Sequence, residues 1–340
     1  MFTHEELHVR AGRRTGLPIV VAIHSTALGQ ALGGCRLWHY DDWRDGVEDA
    51  LRLSAAMTAK NALAGLANGG GKTVVPLPPG LTLDAGARRD LLHDVGDAVA
   101  ALDGRYGTGP DVGTGADDMV VIGERTPHVF CRPVAHGGSG SSSPGTAAGV
   151  IAALRATVAR LDGRADLGGH TFAVVGLGSV GADVARRLAA AGAHLVVSDV
   201  RTEAKALADE LGASWTSPED ALTAEVDVVT PAALGGVLTP DLVPRLRCRA
   251  IVGPANNQLS SPEVAGLLHE RGVLWAPDYV ASAGGIVHAI ASELYGESPD
   301  VVARRIDRIE ATLGQIYTLP GTPAEAAERL VADRLSSGTH

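Results

Sequence analysis

Three polar side chains and one glycine pattern define the chemistry open to this chain. Lys60 and Lys72 stand in an apolar, glycine-rich stretch, 12 residues apart, and Asp111 follows in Gly109-Pro-Asp-Val-Gly113. Lysine is rare: only Lys60, Lys72 and Lys205 occur among 29 basic residues. Against that arginine background a lysine invites a chemical reading, because it loses its proton when desolvated and arginine effectively does not. One lysine kept charged holds a carboxylate as a point charge. A second, its pKa depressed by burial and a neighbouring cation, moves protons. The spacing lets both lysines act on one ligand, each lowering the other's pKa, and Asp111 completes a donor–acceptor pair. The plainer alternatives are two surface lysines and an aspartate capping its turn.

The glycine pattern is Gly176-Leu-Gly178-Ser179-Val180-Gly181, after an apolar strand and at the start of a helix. Gly176 allows a tight turn, Gly178 lets the backbone approach a pyrophosphate, and Gly181 lets helix and strand pack closely. The helix then points unpaired N–H groups, including those of Ser179 and Val180, at the phosphates. Asp199 ends the next strand, 18 residues beyond Gly181. Its carboxylate suits ribose hydroxyls and repels a 2′-phosphate, which favours NAD over NADP. Arg201, two residues on, would tolerate a phosphate and argues the other way.

Several motifs together resemble the glutamate/leucine/phenylalanine/valine dehydrogenase family. They are Ala31-Leu-Gly-Gly-Cys-Arg36, Met57-Thr-Ala-Lys60 through Asn68-Gly-Gly-Gly-Lys72, Thr108-Gly-Pro-Asp111-Val-Gly-Thr, Gly253-Pro-Ala-Asn-Asn-Gln258 and Ala276-Pro-Asp-Tyr-Val-Ala-Ser-Ala-Gly-Gly285. They occur in the family's order and span roughly residues 15–320. The segment Arg125-Thr-Pro-His-Val-Phe-Cys131 is most similar to the actinobacterial valine dehydrogenase branch. The resemblance implies oxidative deamination of an L-amino acid to a 2-oxo acid and ammonia, with NAD taking the hydride. It implies that Lys60 binds the substrate carboxylate with the backbone around Gly33 and Gly34, that Lys72 activates water, and that Asp111 shuttles protons at the amino nitrogen. Thr146 and Asn256 are then expected near the nicotinamide. Gly176, Gly178, Gly181 and Asp199 match the adenosine and pyrophosphate side. Members acting on glutamate carry Lys where this chain has Leu32, so the substrate side chain is expected to be apolar: valine, leucine or isoleucine, with phenylalanine or a non-proteinogenic amino acid as the alternative. Ser282 replaces the family's substrate-contacting Asn, which keeps open an NAD-binding homologue with little turnover. Ala232 stands where the family often has Cys.

The elements that must position these groups follow from periodicity. Leu17 to His24 reads as a strand and residues 46–66 as a helix; Gly69-Gly-Gly-Lys72 reads as a tight loop before a short strand at Thr73-Val-Val. Residues 83–103 read as a second helix and 105–119 as loop. Gly137 to Gly145 reads as a linker or hinge. Beyond it, strands at 170–175, 194–199, 226–229, 250–252 and 273–275 alternate with helices, which predicts a parallel sheet covered on both faces. The expected fold is α/β in two domains: an N-terminal catalytic domain over 1–135 and a Rossmann-type, doubly wound dinucleotide domain over 136–310. The resemblance adds helices at about 311–340 packing back on the first domain, and homo-oligomerisation.

With 340 residues, 45% hydrophobic and 20% charged, the chain is an ordinary globular one. A formal charge of −10 does not favour nucleic acid or anionic membrane as partners. Cys35, Cys131 and Cys248 are few and widely spaced, and read as reduced thiols of a cytoplasmic protein. No ligand cluster calls for a metal, and no apolar run is long enough to span a membrane.

Overall fold

The computed structural model describes residues 2–337. They divide into two units. One holds the chain up to Ser141, Ala289–Ser298 and the chain from Val331; the other holds Ser142–His288 and Pro299–Leu330. No helix among the described residues is long and apolar enough to cross a membrane.

In the first unit β1 (Glu6–Ala11), β2 (Pro18–Ser25), β3 (Ala31–His39), β4 (Gly69–Leu77) and β5 (Tyr106–Pro110) form one mixed sheet in the order β1-β2-β4-β3-β5. β3 runs parallel to β4 and β5, whereas β2 is antiparallel to β1 and β4. Helix α1 (Trp43–Leu63) connects β3 to β4 and is capped by Asp42, whose side chain accepts the N–H of Arg44. Helices α2 (Ala85–Ala100) and α3 (Ala116–Gly123) flank β5 in sequence. Strand alternation sorts the sheet into two faces. Ala31, Cys35 and Leu37 of β3 join Leu91, Val95 and Val99 of α2 and Met119 and Ile122 of α3 in one core. On the opposite face Val20, Ala22 and Val74 pack with Ala50, Val47 and Leu51 of α1. Lys72, two residues before Val74 and paired with Ala22, belongs to that α1 face, as does Arg36, paired with Val74.

Two sequence expectations change here. Gly69-Gly-Gly-Lys72 is not a loop but the start of β4, buried at every position. Its glycines are required by close approach: a Cβ on Gly70 would lie 2.1 Å from the backbone N of Thr58 in α1, and one on Gly71 would lie 2.6 Å from the Tyr106 ring. Residues 105–119 are likewise mostly structured, because β5 and α3 leave only the segment carrying Asp111 as loop. In Tyr-Gly-Thr-Gly-Pro two glycines and a proline dilute the strand formers Tyr106 and Thr108, so no strand is announced. Its glycines leave room for neighbours: a Cβ on Gly109 would meet the Phe130 ring at 2.5 Å.

The second unit contains a six-stranded sheet, β6 (Thr171–Val175), β7 (His194–Ser198), β8 (Ser214–Trp215), β9 (Val228–Pro231), β10 (Ala250–Ile251) and β11 (Leu274–Trp275), in the order β11-β10-β9-β6-β7-β8. Every pair is parallel. Its helices are α4 (Ser143–Asp162), α5 (Ser179–Ala190), α6 (Lys205–Leu211), α7 (Pro218–Leu222), α8 (Val264–Glu270), α9 (Asp278–Ala281), α10 (Gly284–Ala289) and α11 (Pro299–Thr318). The chain leaves β6 toward β7 and returns to β9 on the other side, so the strand order reverses between β6 and β9. In open α/β sheets that reversal is where ligands bind. Helix α11 packs on α4 through Arg155 to Glu310 at 2.7 Å and to Asp307 at 2.9 Å, and through Thr157 and Tyr317 hydroxyls 2.8 Å apart. Its buried Ile306, Ile309, Leu313 and Ile316 keep it there. The C-terminal return to the first unit therefore begins not near residue 311 but at Val331, within α12 (Pro323–Ser337), where Arg334 donates to the carbonyls of Ala62 and Leu63.

The steric reading of β4 predicts that Gly70→Ala destabilises the protein by about 1–3 kcal/mol, because rigid backbone rather than a mobile side chain must yield. Denaturant unfolding of the variant checks this. A stability equal to the parent's would mean that α1 and β4 are less tightly set than described.

Candidate active site

Lys72 and Asp111 meet in the first unit. Lys72 Nζ lies 2.7 Å from Asp111 Oδ2, and Lys72 is only 5% exposed. The Asp111 turn is held by Thr114, whose hydroxyl accepts the N–H of Asp111 at 3.0 Å and donates to the carbonyl of Cys35 at 2.7 Å. Gly34 makes room for the pair: a Cβ there would lie 2.7 Å from Asp111 Cβ and 3.2 Å from Lys72 Nζ. At Gly33 a Cβ would lie 1.7 Å from the carbonyl oxygen of Gly71. Strand β3 pairs with β4 at Ala31 and Leu32 and again from Cys35, on either side of these two glycines.

A third group completes the cluster. Arg36 Nε donates to the same Asp111 Oδ2 at 2.9 Å, and its Nη1 donates to Asp49 Oδ2 at 2.8 Å. Asp49 also accepts from Tyr40 Oη at 2.7 Å and from Arg52 Nη2 at 2.6 Å. Burial pushes the Lys72 ammonium below the ordinary lysine range; Asp111 opposes that, and the Arg36 charge adds to it. Burial alone would raise the Asp111 carboxyl, but the Lys72 and Arg36 charges outweigh it and hold it below its usual range. Arg36 is thus a cation beside Lys72, a role the sequence reading gave to Lys60. Lys60 itself sits half-buried in the last turn of α1, and Leu32 is fully buried, paired with Gly70 and Gly107.

In the second unit Gly176 adopts φ +107°, where only glycine is comfortable, and a Cβ on Gly181 would lie 2.0 Å from the Gly176 carbonyl oxygen. Gly178 faces open space. It is the N-cap of α5 and supplies no side-chain cap, so the first amides of that helix at Ser179, Val180 and Gly181 are not capped by a side chain. Ser179 Oγ lies 3.0 Å from Ser143 Oγ, which ties the starts of α5 and α4 together. Asp199 Oδ2 accepts the N–H of Leu177 at 2.7 Å, and its Oδ1 accepts the N–H of Arg201 at 2.8 Å. The Arg201 guanidinium bonds both oxygens, and with these amides it holds the Asp199 carboxyl at about 2. An open glycine, uncapped helix amides and a fixed carboxylate at the next strand end fit the pyrophosphate and ribose of a dinucleotide.

The remaining expected residues also lie in this unit. Thr146 donates to the Ser142 carbonyl at 3.0 Å, and a Cβ on Gly285 would lie 2.3 Å from its Oγ1. Asn256 is exposed on the loop after β10. Ser282 is 7% exposed, and its hydroxyl is buried without a hydrogen-bond partner in the protein. Such a hydroxyl costs about 1–3 kcal/mol unless something bonds it.

Sequence reasoning did not single out Arg36, Asp49, Tyr40 or Glu293. Arg36 was visible only as the end of a longer motif, and Asp49 and Tyr40 carry no local signal. The buried Glu293 lies in a π-helical turn, Ile290–Leu294, and accepts the N–H groups of Cys131 at 2.7 Å and Ser139 at 3.1 Å and Arg132 Nε at 2.9 Å. It fastens the segment that runs into the Gly137–Gly145 stretch. A π-turn is a frequent mark of a functional position, and no sequence pattern announces it here.

Comparison with known proteins bears on both units. Residues 2–128 match the Glu/Leu/Phe/Val dehydrogenase dimerisation domain, and residues 197–297 match the glutamate/leucine/phenylalanine/valine dehydrogenase family. Residues 154–239 match the NAD binding domain of D-isomer specific 2-hydroxyacid dehydrogenases. Leucine dehydrogenase of Bacillus cereus is 38% identical over 99% of this chain and 92% of its own length. Valine dehydrogenase of Streptomyces coelicolor is 39% identical over 98% of this chain and 92% of its own length. These values do not single out the actinobacterial valine branch. The crystal structure of L-tryptophan dehydrogenase from Nostoc punctiforme superposes with a TM-score of 0.88 at 33% identity, covering 99% of this chain and 97% of that one. NAD is the cofactor these matches indicate.

The Asp199 geometry predicts the effect of removing its carboxylate. In Asp199→Ser the KM for NAD rises roughly 10-fold or more with little change in kcat, as expected for losing hydrogen bonds to a charged group. The preference for NAD over NADP falls with it. Initial rates with both cofactors check this, and an unchanged preference would remove Asp199 from cofactor selection.

Proposed function

The chain belongs to the glutamate/leucine/phenylalanine/valine dehydrogenase family and is an NAD-dependent amino-acid dehydrogenase; on that premise we propose that its substrate is an apolar L-amino acid of the valine, leucine or isoleucine type. The observation that carries the reading is the pairing of buried Lys72 with half-buried Asp111, on a face where Leu32 stands in place of a carboxylate-pairing lysine. A buried carboxylate without a partner costs several kcal/mol, so glutamate is a poor substrate. A single methylene is worth only about 1–3 kcal/mol, so the apolar side chains compete closely.

In the proposed reaction Lys60 holds the substrate carboxylate as a point charge, with the backbone of Gly33 and Gly34 beside it. Asp111, ionised by its two cations, accepts from the amino nitrogen and passes protons there. When bound, NAD supplies the acceptor for the hydride from the substrate α-carbon. Gly176, Gly178, Ser179, Val180, Gly181 and Asp199 hold its adenosine and pyrophosphate, and Thr146 and Asn256 serve the nicotinamide end. Lys72, neutral, takes a proton from the water that adds to the imino carbon, and the tetrahedral adduct then collapses to 2-oxo acid and ammonia. Base chemistry by Lys72 is favoured by its burial, because the charged form is the one desolvation penalises.

Ser282 supports a second reading. Serine is shorter than the family's asparagine, and its buried hydroxyl has no partner in the protein. That combination suits a bulkier substrate side chain such as that of phenylalanine or tryptophan. We also read the protein as a cytoplasmic homo-oligomer: Cys35, Cys131 and Cys248 are all free thiols, and the matched N-terminal region carries the family's dimerisation domain.

NADH formation with a panel of L-amino acids tests the proposal. Valine, leucine and isoleucine are expected to turn over and glutamate to lag; tryptophan or phenylalanine as the fastest substrates would favour the second reading, and glutamate as the fastest would overturn both. Lys72→Ala is expected to lose roughly 10²–10⁴-fold in kcat, the usual share of a general base, while still binding NAD. For the parent, kcat/KM rises as pH increases through the Lys72 titration, since only the neutral amine is a base. That rise falls below the ordinary lysine range because burial favours the neutral form.

A further inference from the structure

We infer that Arg36, fixed between Asp111 and Asp49, is a positioning residue that makes Lys72 the titrating member of the cluster. The inference rests on the role proposed above for Lys72, but its structural basis is separate. The polar groups form a chain of alternating charge: Lys72 to Asp111 at 2.7 Å, Asp111 to Arg36 at 2.9 Å, Arg36 to Asp49 at 2.8 Å, and Asp49 to Arg52 at 2.6 Å. Lys72 and Arg36 share one oxygen, Oδ2, of Asp111. They compete for it, and only Lys72 can leave the competition by losing a proton, because guanidinium does not deprotonate in proteins.

The arrangement has two consequences. First, when Lys72 is neutral, Asp111 still holds a cation at hydrogen-bond distance, so deprotonation leaves no uncompensated buried carboxylate. Second, Arg36 is itself held. Its guanidinium spans two carboxylates with Nε on Asp111 and Nη1 on Asp49, and Asp49 is in turn fixed by Tyr40 and Arg52. A lysine at this position could not make both contacts from one planar fork.

The charged and titratable groups facing this cluster come from several elements. β3 contributes Arg36, with Cys35 buried on the other face of the strand, and the turn after β5 contributes Asp111. Behind Arg36 stand Asp49 and Arg52 of α1 and Tyr40. Asp118 of α3 and Arg88 of α2, paired at 2.7 Å, act on Cys35. Of these, Arg36 is the permanent cation that touches the Lys72 partner, so its removal and the removal of its own counter-ion have opposite signs. Without Arg36, the attraction of Asp111 falls wholly to Lys72, which keeps its proton to higher pH. Without the Asp49 charge, Arg36 is less neutralised and Lys72 loses its proton at lower pH.

The chain's three lysines make a direct test practical. Protein labelled with [¹³Cε]lysine gives three side-chain signals, assigned with Lys60→Arg and Lys205→Arg, and the Lys72 signal is followed against pH. Expected results are a Lys72 titration displaced to higher pH in Arg36→Gln and to lower pH in Asp49→Asn. Steady-state profiles are expected to move with it: in Arg36→Gln, kcat/KM falls about 10-fold near neutral pH and recovers as pH rises, a loss within the share of a general base. Arg36→Lys restores the position of the profile in part, since charge is kept and the fork is lost. A Lys72 titration that stays put in both variants, with kcat merely reduced, would overturn the inference and leave the cluster a structural brace. If Arg36→Gln does not fold, the near-isosteric Asp49→Asn decides by the sign of its displacement. The lysine signal reports whether or not the protein turns over an amino acid, so failure of the proposed function and failure of this inference are told apart.

Discussion

The first unit is organised around one oxygen atom. Asp111 Oδ2 receives both Lys72 and Arg36, and both cations come from adjacent parallel strands on the face covered by α1. A buried lysine without a counter-ion simply neutralises, and a buried carboxylate without one does the same. Bringing three such groups to one point demands strands that approach without side chains between them. That explains why glycine occupies positions 33, 34, 70 and 71: at each, a Cβ would meet backbone, the buried Tyr106 ring or the charged pair itself. The glycines are therefore part of the electrostatics. They reduce the sheet to backbone where the charges must converge.

The second unit uses glycine for a different purpose. Gly176 is needed for its backbone conformation and Gly181 for close packing against it, whereas Gly178 leaves open space. Two positions tighten the turn and one clears it. Asp199 is fixed before any ligand arrives, because the Leu177 N–H and Arg201 already bond it. Arg201, which the sequence offered as a possible phosphate ligand, instead lies on Asp199. In the proposed cofactor site a ribose would share or displace that guanidinium, so the two side chains would act together on NAD affinity and on discrimination against a 2′-phosphate.

The sequence was legible where a residue type is rare or a spacing is tied to chemistry. Lys72, one of only three lysines, led to its pairing with Asp111, and the glycine pattern marked the turn into α5. The parallel sheet of the second unit followed from β-branched runs such as Phe172 to Val175. It was illegible where long-range packing overrides local preference. Three glycines in a row look like a turn, and only the neighbouring strands and α1 make them a strand. Tyr106–Pro110 has little strand propensity, and its place at the sheet edge depends on β3. Arg36, Asp49 and Tyr40 come from two elements and the turn between them, and nothing in their spacing says that they share a carboxylate. Glu293 is further still from its partners, with Cys131 lying 162 residues away in the chain.

The composition and the cluster explain each other. In a chain that uses arginine almost everywhere, Lys72 is a buried cation that can lose its proton. At position 36 arginine is doubly suited: its charge is permanent, and its fork reaches Asp111 and Asp49 together. At position 72 lysine is suited for the opposite reason, since its charge is conditional. Exchanging the two would leave the count of charges unchanged and remove the asymmetry between them. Every link of the Asp49–Arg36–Asp111–Lys72 chain is a charge pair, yet only its last member can change charge while the others stay paired. A base that must gain and lose a proton in each turnover is best placed at that end, where the rest of the cluster keeps its electrostatic balance in both states.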